Sequence, residues 1–175
     1  MKTLRFIASI LFFLSRLAAF LFLLTVLYAT TTVVLYHYTS ATWLPMHVAQ
    51  SEFTLFYPFT KKAFLLGDYT VSFLFTYLFI IAFYGFFLWL LSDVFRSFRQ
   101  EKLFTQKGVL RLSRFYITNL LVPVLFLILV IFFQSEMSDL VRIMFLHLVI
   151  GVFAYFMATI FKQGWILQEE QDLTF

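Results

Sequence analysis

The stretch Leu17-Ala-Ala-Phe-Leu-Phe-Leu-Leu-Thr-Val-Leu-Tyr-Ala-Thr-Thr-Thr-Val-Val-Leu-Tyr36 decides the class of this protein, because it carries no charge over a bilayer-spanning length. A hydrocarbon core about 30 Å thick needs about 20 helical residues. The whole chain is similar, with 62% hydrophobic and 13% charged residues and 27 Phe in 175 positions. That composition leaves too little polar surface to cover a soluble globule, so we predict an integral membrane protein.

Three further apolar segments of similar length follow the first. The predicted membrane helices cover about residues 17–36, 69–91, 115–133 and 140–161. Between and after them lie a long outer cap loop at 37–68, a basic connection at 92–114 and an acidic tail at 162–175. The sequence therefore predicts one all-α membrane domain, an antiparallel bundle of four transmembrane helices.

The positive residues orient these helices, because cytoplasmic loops collect Lys and Arg near helix ends. The first helix is preceded by Lys2, Arg5 and Arg16, and Lys162 follows the fourth. The connection between the second and third helices contains Arg96, Arg99, Lys102, Lys107, Arg111 and Arg114. The opposite side carries only Lys61, Lys62 and Arg142. We therefore expect both termini and the basic connection to be cytoplasmic.

Arg16 interrupts the apolar N-terminal run and argues against a cleavable signal peptide. A central Arg costs roughly 3 kcal/mol on insertion scales, so we expect Arg16 to snorkel to the inner surface as a topology anchor. Residues 3–15 are then expected in or near that surface, with the retained helix beginning at Leu17.

The outer connection is rich in aromatic residues, including Phe53, Phe56, Tyr57 and Phe59. Aromatic side chains favour the headgroup layer, so this segment is predicted to pack as a cap on the outer face of the bundle. A lid that senses a ligand or binds a partner is the functional alternative.

The fourth segment carries His147, Gly151, Ala154 and Ala158 at spacings of four, three and four. Residues with this spacing form one stripe of a helix, and small residues let helices approach closely. We therefore predict that the stripe faces the bundle interior. A neutral, hydrogen-bonded His147 is the simpler interpretation, and a titrating group is the alternative.

The expected hydrogen-bond partners of His147 lie at similar depth, and they are Thr31, Thr32 and Tyr77. Asn119 forms a second polar point on the third helix, where Pro123 removes the hydrogen bond to its carbonyl and is expected to cause a kink. When depth is counted from the predicted helix ends, Asn119 and His147 lie roughly 10 Å apart along the membrane normal. A direct pair between them is therefore not expected.

No motif in the sequence points to catalysis. The chain has no Cys, and it contains no GxxxxGK, HExxH or GxSxG motif. His37 and His47 lack carboxylates at ligand spacing, so neither a metal nor a cofactor is expected. The basic patch is short and adjoins the membrane, which argues against direct nucleic-acid binding. We predict a protein that is not an enzyme.

The cytoplasmic face offers a docking surface for a partner or for the tail. Its members are Arg96, Arg99, Lys107, Arg111 and Arg114, with Glu169, Glu170 and Asp172 opposite them in the tail. Thr105 is expected to cap a helix that carries the last three basic residues into the membrane. We expect a tail carboxylate to approach Arg96, Arg99, Arg111 or Arg114. The alternative is that these charges only set topology and attract anionic headgroups.

Two stretches resemble the bacterial membrane-protein family called domain of unknown function 2975. They are the connection from Phe95 to Arg114, which contains Phe104-Thr105 and Arg111-Leu112, and the ending with Gly164, Leu167, Glu170, Asp172, Leu173 and Thr174. The resemblance covers the four-helix layout, although the first helix and outer loop match only in kind. It implies a bacterial inner-membrane protein, often encoded beside a small helix-turn-helix regulator, and it supplies no catalytic residues.

Two functions from different classes follow. The first is a regulatory or interaction protein whose cytoplasmic face holds a soluble partner, such as a helix-turn-helix regulator. The alternative is a small transporter or channel formed by a homo-oligomer, because one four-helix bundle offers no evident polar route.

Overall fold

A computed structural model describes residues 2–133 and 138–172, and within these ranges it contains four helices and three strands. The helices are α1 (Lys2–Thr39), α2 (Val71–Phe98), α3 (Gln106–Phe133) and α4 (Ser138–Asp172). The strands are β1 (Met46–Ala49), β2 (Glu52–Phe56) and β3 (Ala63–Asp68). All four helices are long and apolar enough to cross a bilayer, which confirms that part of the prediction.

All four helices are longer than the predicted membrane segments, and α1 and α4 exceed them by the most. The first begins at Lys2 rather than Leu17 and runs for 38 residues, since no Gly or Pro interrupts it before Thr39. The expected surface segment at residues 3–15 is therefore part of the same helix as the apolar run. At the other end, α4 continues to Asp172, so the predicted tail is helical over residues 162–172. The last three residues of that tail lie outside the described ranges.

The segment predicted as a cap loop contains an antiparallel sheet in the order β1-β2-β3, so the chain is not helical throughout. Gln50 and Ser51 join β1 to β2 with φ angles of 50° and 70°. A two-residue hairpin turn of type I′ requires positive φ at both positions, which are usually occupied by Asn, Asp or Gly. Because Gln-Ser lacks that signal, the sequence pattern did not reveal the hairpin.

The chain forms two compact units. One unit comprises Met1–Leu17 with Phe87–Phe175, and the other comprises Ala18–Phe86. The first is built around a core shared by α2, α3 and α4, with buried Leu90, Val94, Leu112, Phe115, Ala154, Ala158 and Phe161. In the second, buried Met46, Phe53 and Leu55 of the sheet cluster with Ala29 of α1. Each sheet residue in that cluster alternates with a more exposed neighbour, as expected for a strand with one buried face.

Candidate functional site

The small residues of α4 allow a close approach to α3 in the first unit. A Cβ added at Gly151 would meet Leu120 Cδ2 at 2.8 Å and the backbone carbon of Asn119 at 3.3 Å. Ala154 and Ala158 are buried on the same stripe, together with His147. The predicted inward-facing stripe is thus confirmed, and it positions the polar side chains of the two helices.

Asn119 and His147 form a direct hydrogen bond, so the prediction that they could not pair is wrong. His147 Nδ1 lies 2.9 Å from Asn119 Oδ1, and both side chains are buried. The register of α3 and α4 places Asn119 beside Gly151, one helical turn, or about 5 to 6 Å, from His147. Two side chains can span the distance of one helical turn. Depths counted from the ends of the apolar segments are not accurate to one turn, so the count did not predict this contact.

The surrounding contacts decide which atoms carry protons. Asn119 Nδ2 donates to the carbonyl of Phe115 at 2.8 Å, which fixes the amide orientation and leaves Oδ1 as the acceptor. His147 Nδ1 must therefore be the donor, because a carboxamide oxygen cannot donate. The Phe87 ring and the imidazole are nearly perpendicular, with their centroids 4.9 Å apart. The expected partners Thr31 and Thr32 instead donate to carbonyls of their own helix.

Arg16 of α1 forms an ion pair with Asp93 of α2, and both residues belong to the first unit. Arg16 Nη2 lies 2.6 Å from Asp93 Oδ1, and each side chain is about a quarter exposed. The guanidinium also stacks on Trp89, with Cζ 3.9 Å from the ring centroid. Sequence reasoning treated Arg16 as an isolated anchor and missed the pair. The available signal was that each residue is the first charge at its end of an apolar run, so that both lie at similar depth.

Thr105 caps α3 as predicted, because its Oγ1 accepts a hydrogen bond from the N–H of Gly108 at 3.1 Å. The basic residues around this cap have different surroundings. Arg99 lies over the rings of Phe12 and Phe13, and Arg111 Nη1 lies 3.4 Å from Ser97 Oγ. Among the residues predicted to form the docking surface, Arg96, Lys107, Arg114, Glu169 and Glu170 also have exposed side chains.

The tail reaches the connection at a residue other than those predicted. Asp172 Oδ2 lies 3.1 Å from Lys102 Nζ, whereas a contact with Arg96, Arg99, Arg111 or Arg114 was expected. Lys102 belongs to the same basic connection but lies in its non-helical part, between α2 and α3. Beside it, Glu101 Oε1 lies 3.6 Å from Arg5 Nη1 of α1. The connection is thus in contact with both the first turns of α1 and the last turn of α4.

An aromatic joint holds the end of α4 against this connection. A Cβ added at Gly164 would meet Phe104 Cγ at 2.6 Å, so the ring lies directly over the glycine. Phe104 also packs edge-on against Phe161 at 5.3 Å, and Phe98 contacts the same ring at 5.4 Å. An open cavity of about 220 Å³ adjoins this joint, between Leu4 and the connection. We call this assembly, together with the Lys102–Asp172 and Arg5–Glu101 ion pairs, the joint.

The side chains of these contacts are mainly aromatic or charged. Over residues 2–133 and 138–172, no three His, Cys, Asp or Glu side chains are placed to hold a metal ion. The joint instead combines apolar packing with exposed ion pairs. Such an arrangement can hold a helix end in place and present charges to a partner.

Comparisons with known proteins bear on the same region. The family model described as Protein of unknown function (DUF2975) matches residues 54–175, which include Phe104, Thr105 and Gly164. The match begins within β2, so α1 and β1 lie outside it. Neither the curated proteins nor the solved structures that were compared gave a match. Because the matched residues form well over half of the chain, the protein belongs to the family of proteins of unknown function DUF2975.

Proposed function

We propose that this protein is a regulatory membrane protein that holds a soluble cytoplasmic protein at the joint. It crosses a bacterial inner membrane four times, as an antiparallel helix bundle, with the start of α1 and the end of α4 in the cytoplasm. The bias of Lys and Arg toward the α2–α3 connection supports that orientation.

The length of α4 supports a surface outside the bilayer. Its 35 residues span about 52 Å, whereas the hydrocarbon core takes about 30 Å. With the apolar part beginning near Leu140, the last three turns of α4 stand beyond the membrane. Those turns begin near Lys162 and contain Glu169, Glu170 and Asp172.

The observation that carries the proposal is that this extension is closely packed where it begins and held only by an exposed ion pair where it ends. Where the extension begins, Gly164 lies under the half-buried ring of Phe104, and this close packing holds the start of the extension in place. At the tip, Asp172 and Lys102 form an ion pair in which both side chains are about 70% exposed. Exposed pairs contribute only about 0 to 1 kcal/mol, so a partner can displace this one at little cost.

A weak contact of this kind suits exchange between two states. In one state Asp172 binds Lys102, and in the other the partner binds the side chain of Asp172 or of Lys102. The family resemblance makes a small helix-turn-helix regulator the first partner to look for. The regulator would bind DNA through its own surface. The joint itself would not contact DNA, because it adjoins the membrane.

Affinity capture from mild detergent tests the proposal. The tagged protein is compared with Asp172→Arg, Lys102→Glu and the double reversal, and soluble partners are identified. Each single reversal should lower capture several-fold while changing stability by less than about 1 kcal/mol. The double reversal should restore the ion pair and its small stability term but not capture, because the partner then meets both charges with the wrong sign. Glu52→Arg, an exposed reversal on the sheet, is the matched control.

Unchanged capture in all three variants would show that the joint is not the recognition element. A stable homo-oligomer that conducts ions in liposomes, with no soluble partner, would instead establish the transporter or channel alternative.

A further inference from the structure

The second unit contains a cavity that the proposed cytoplasmic function does not use. Its volume is about 660 Å³, within the usual range of about 300 to 1,000 Å³ for small-molecule sites. It lies between Tyr28 of α1 and the turn that joins β2 to β3. The walls are mainly aromatic, aliphatic and proline side chains, and Lys61 is the one charged residue among those that line it.

Two large aromatic side chains at this cavity are exposed. Trp43 is 75% exposed, and Phe59 has the exposure of a free side chain at 106%. Phe59 also has a φ angle of 60°, in the left-handed region that costs a bulky residue about 1 to 2 kcal/mol. Since its ring is fully exposed, packing within the chain does not offset that cost. An apolar environment outside the chain would do so.

The turn that carries Phe59 satisfies much of its own backbone. The N–H of Tyr57 donates to the carbonyl of Lys62 at 3.0 Å, and the N–H of Thr60 donates to the carbonyl of Tyr57 at 3.1 Å. Thr60 Oγ1 accepts from the N–H of Lys62, and position 58 is a proline without a donor. Backbone groups must be satisfied internally where water is scarce, so this turn is suited to the bilayer interface.

The turn also reaches back along α1. Tyr28 donates its hydroxyl hydrogen to the carbonyl of Phe56 at 2.7 Å, which ties the end of β2 to a point 11 residues before Thr39. That point is about 16 Å from the end of the helix. Given the membrane placement proposed above, on which this inference rests, the turn lies at the level of the outer leaflet.

The charges next to the cavity decide what occupies it. Lys61 lies two residues after Phe59, and a lysine can keep its stem in an apolar layer while its ammonium group reaches the lipid phosphates. We infer that the cavity binds one anionic phospholipid of the outer leaflet, with an acyl chain along the walls formed by Tyr28 and Pro45 and the phosphate on Lys61.

Lipid retention measured by native mass spectrometry tests the site. The full chain is equilibrated in mixed phosphatidylcholine and phosphatidylglycerol nanodiscs, released into the gas phase and examined for bound lipid. Wild type should retain phosphatidylglycerol in preference to phosphatidylcholine. Lys61→Gln should lower that preference about fivefold, the effect of about 1 kcal/mol for one lysine at an anionic surface. Lys62→Gln, which changes the neighbouring charge outside the cavity lining, is the matched control.

A second variant separates binding from folding. Phe59→Asn removes the exposed ring, and asparagine accepts positive φ, so thermal stability in detergent should be kept or raised. Retention of phosphatidylglycerol should nevertheless fall. Equal retention by Lys61→Gln and Lys62→Gln, or no preference between the two lipids in wild type, would overturn the site. A dimer cross-linked through a cysteine at Trp43 would also overturn it, because a second copy would then cover the cavity.

The same variants distinguish this inference from the proposed function. Lys61→Gln and Phe59→Asn should leave capture of the cytoplasmic partner unchanged, because neither residue belongs to the joint. Loss of lipid preference with normal capture supports the lipid site alone, and normal lipid preference with no partner rejects the proposed function alone.

Discussion

Asn119 Oδ1 accepts a hydrogen bond from His147 Nδ1 at 2.9 Å, so the two buried polar side chains of α3 and α4 satisfy each other across the helix interface. Apolar surroundings make an unpaired polar group costly, and the pair removes that cost at both residues. It also specifies the register of the two helices, because a shift by one residue would separate the donor from the acceptor.

Breaking the pair should cost stability in a way that depends on polarity. His147→Leu leaves Asn119 Oδ1 without its donor and should lower the free energy of unfolding by about 1 kcal/mol. His147→Gln keeps a donor and should cost less. Unfolding in mixed micelles measures both variants.

A double-mutant cycle with Asn119→Leu should give a coupling energy of about 0.6 kcal/mol or more. Nitrogen NMR of labelled His147 should show a neutral ring protonated at Nδ1. A ring protonated only at Nε2, or strict additivity of the two substitutions, would contradict the pair.

The contact between Gly164 and Phe104 should tolerate no side chain. Gly164→Ala gains about 1 kcal/mol of helix propensity, but its Cβ meets the base of the ring, which cannot swing away as a flexible side-chain end would. Overpacking of this kind costs about 1 to 3 kcal/mol, so we expect net destabilisation and weaker partner capture.

Phe104→Leu combined with Gly164→Ala should recover part of the stability lost in the glycine variant, because the smaller side chain makes room for the methyl group. Gln163→Ala, on an exposed position of the same turn, is the control and should have little effect. If Gly164→Ala were as stable as Gln163→Ala, the close contact would have no energetic role.

The Arg16–Asp93 pair should contribute to insertion and stability beyond its part in topology. Asp93→Asn leaves Arg16 without its counter-charge near the apolar layer, and we expect a loss of about 2 kcal/mol. Arg16→Lys retains the charge but loses the planar stacking on Trp89, so an intermediate loss is expected.

The exchanged pair Arg16→Asp with Asp93→Arg provides the test of partnership. It should be more stable in detergent than either single reversal. Stability equal to the sum of the two single losses would show that the residues act independently.

Topology is tested with single cysteines, since the chain has none of its own. Ser51→Cys, in the turn between β1 and β2, should react with an impermeant maleimide added to intact cells. Gln106→Cys, exposed at the start of α3, should react only after the cells are opened. The reverse pattern would invert the orientation and remove the proposed cytoplasmic role of the joint.

Local patterns accounted for much of the fold. Runs of about 20 apolar residues predicted four long helices, and the spacing from His147 to Ala158 predicted the inward-facing stripe of α4. Thr105 was predicted as the cap of α3, because a capping side chain binds a backbone N–H only three residues away. Each of these features depends on residues that are close together in the chain.

The helix boundaries and the β-sheet were harder to predict from the sequence. Composition places the polar-to-apolar transition at Arg16. A change in polarity does not end a helix, however, because the backbone hydrogen bonds continue until a residue such as Gly or Pro interrupts them. The helix α1 therefore begins at Lys2. Between α1 and α2, the first two strands pair through a hairpin whose Gln50-Ser51 turn carries no typical sequence signal. Strand pairing is stabilised by contacts across the sheet, which a reading along the chain does not contain.

The sequence by itself determined the four long apolar helices and the clustering of positive charges between the second and the third, because hydrophobicity and helical periodicity are properties of short segments. Only the tertiary structure decided that His147 meets Asn119, that Arg16 meets Asp93 and that Phe104 covers Gly164. These contacts join residues from 28 to 77 positions apart. They depend on helix register to within one turn of about 5.4 Å, and that register is set by side-chain packing between helices rather than by any one helix.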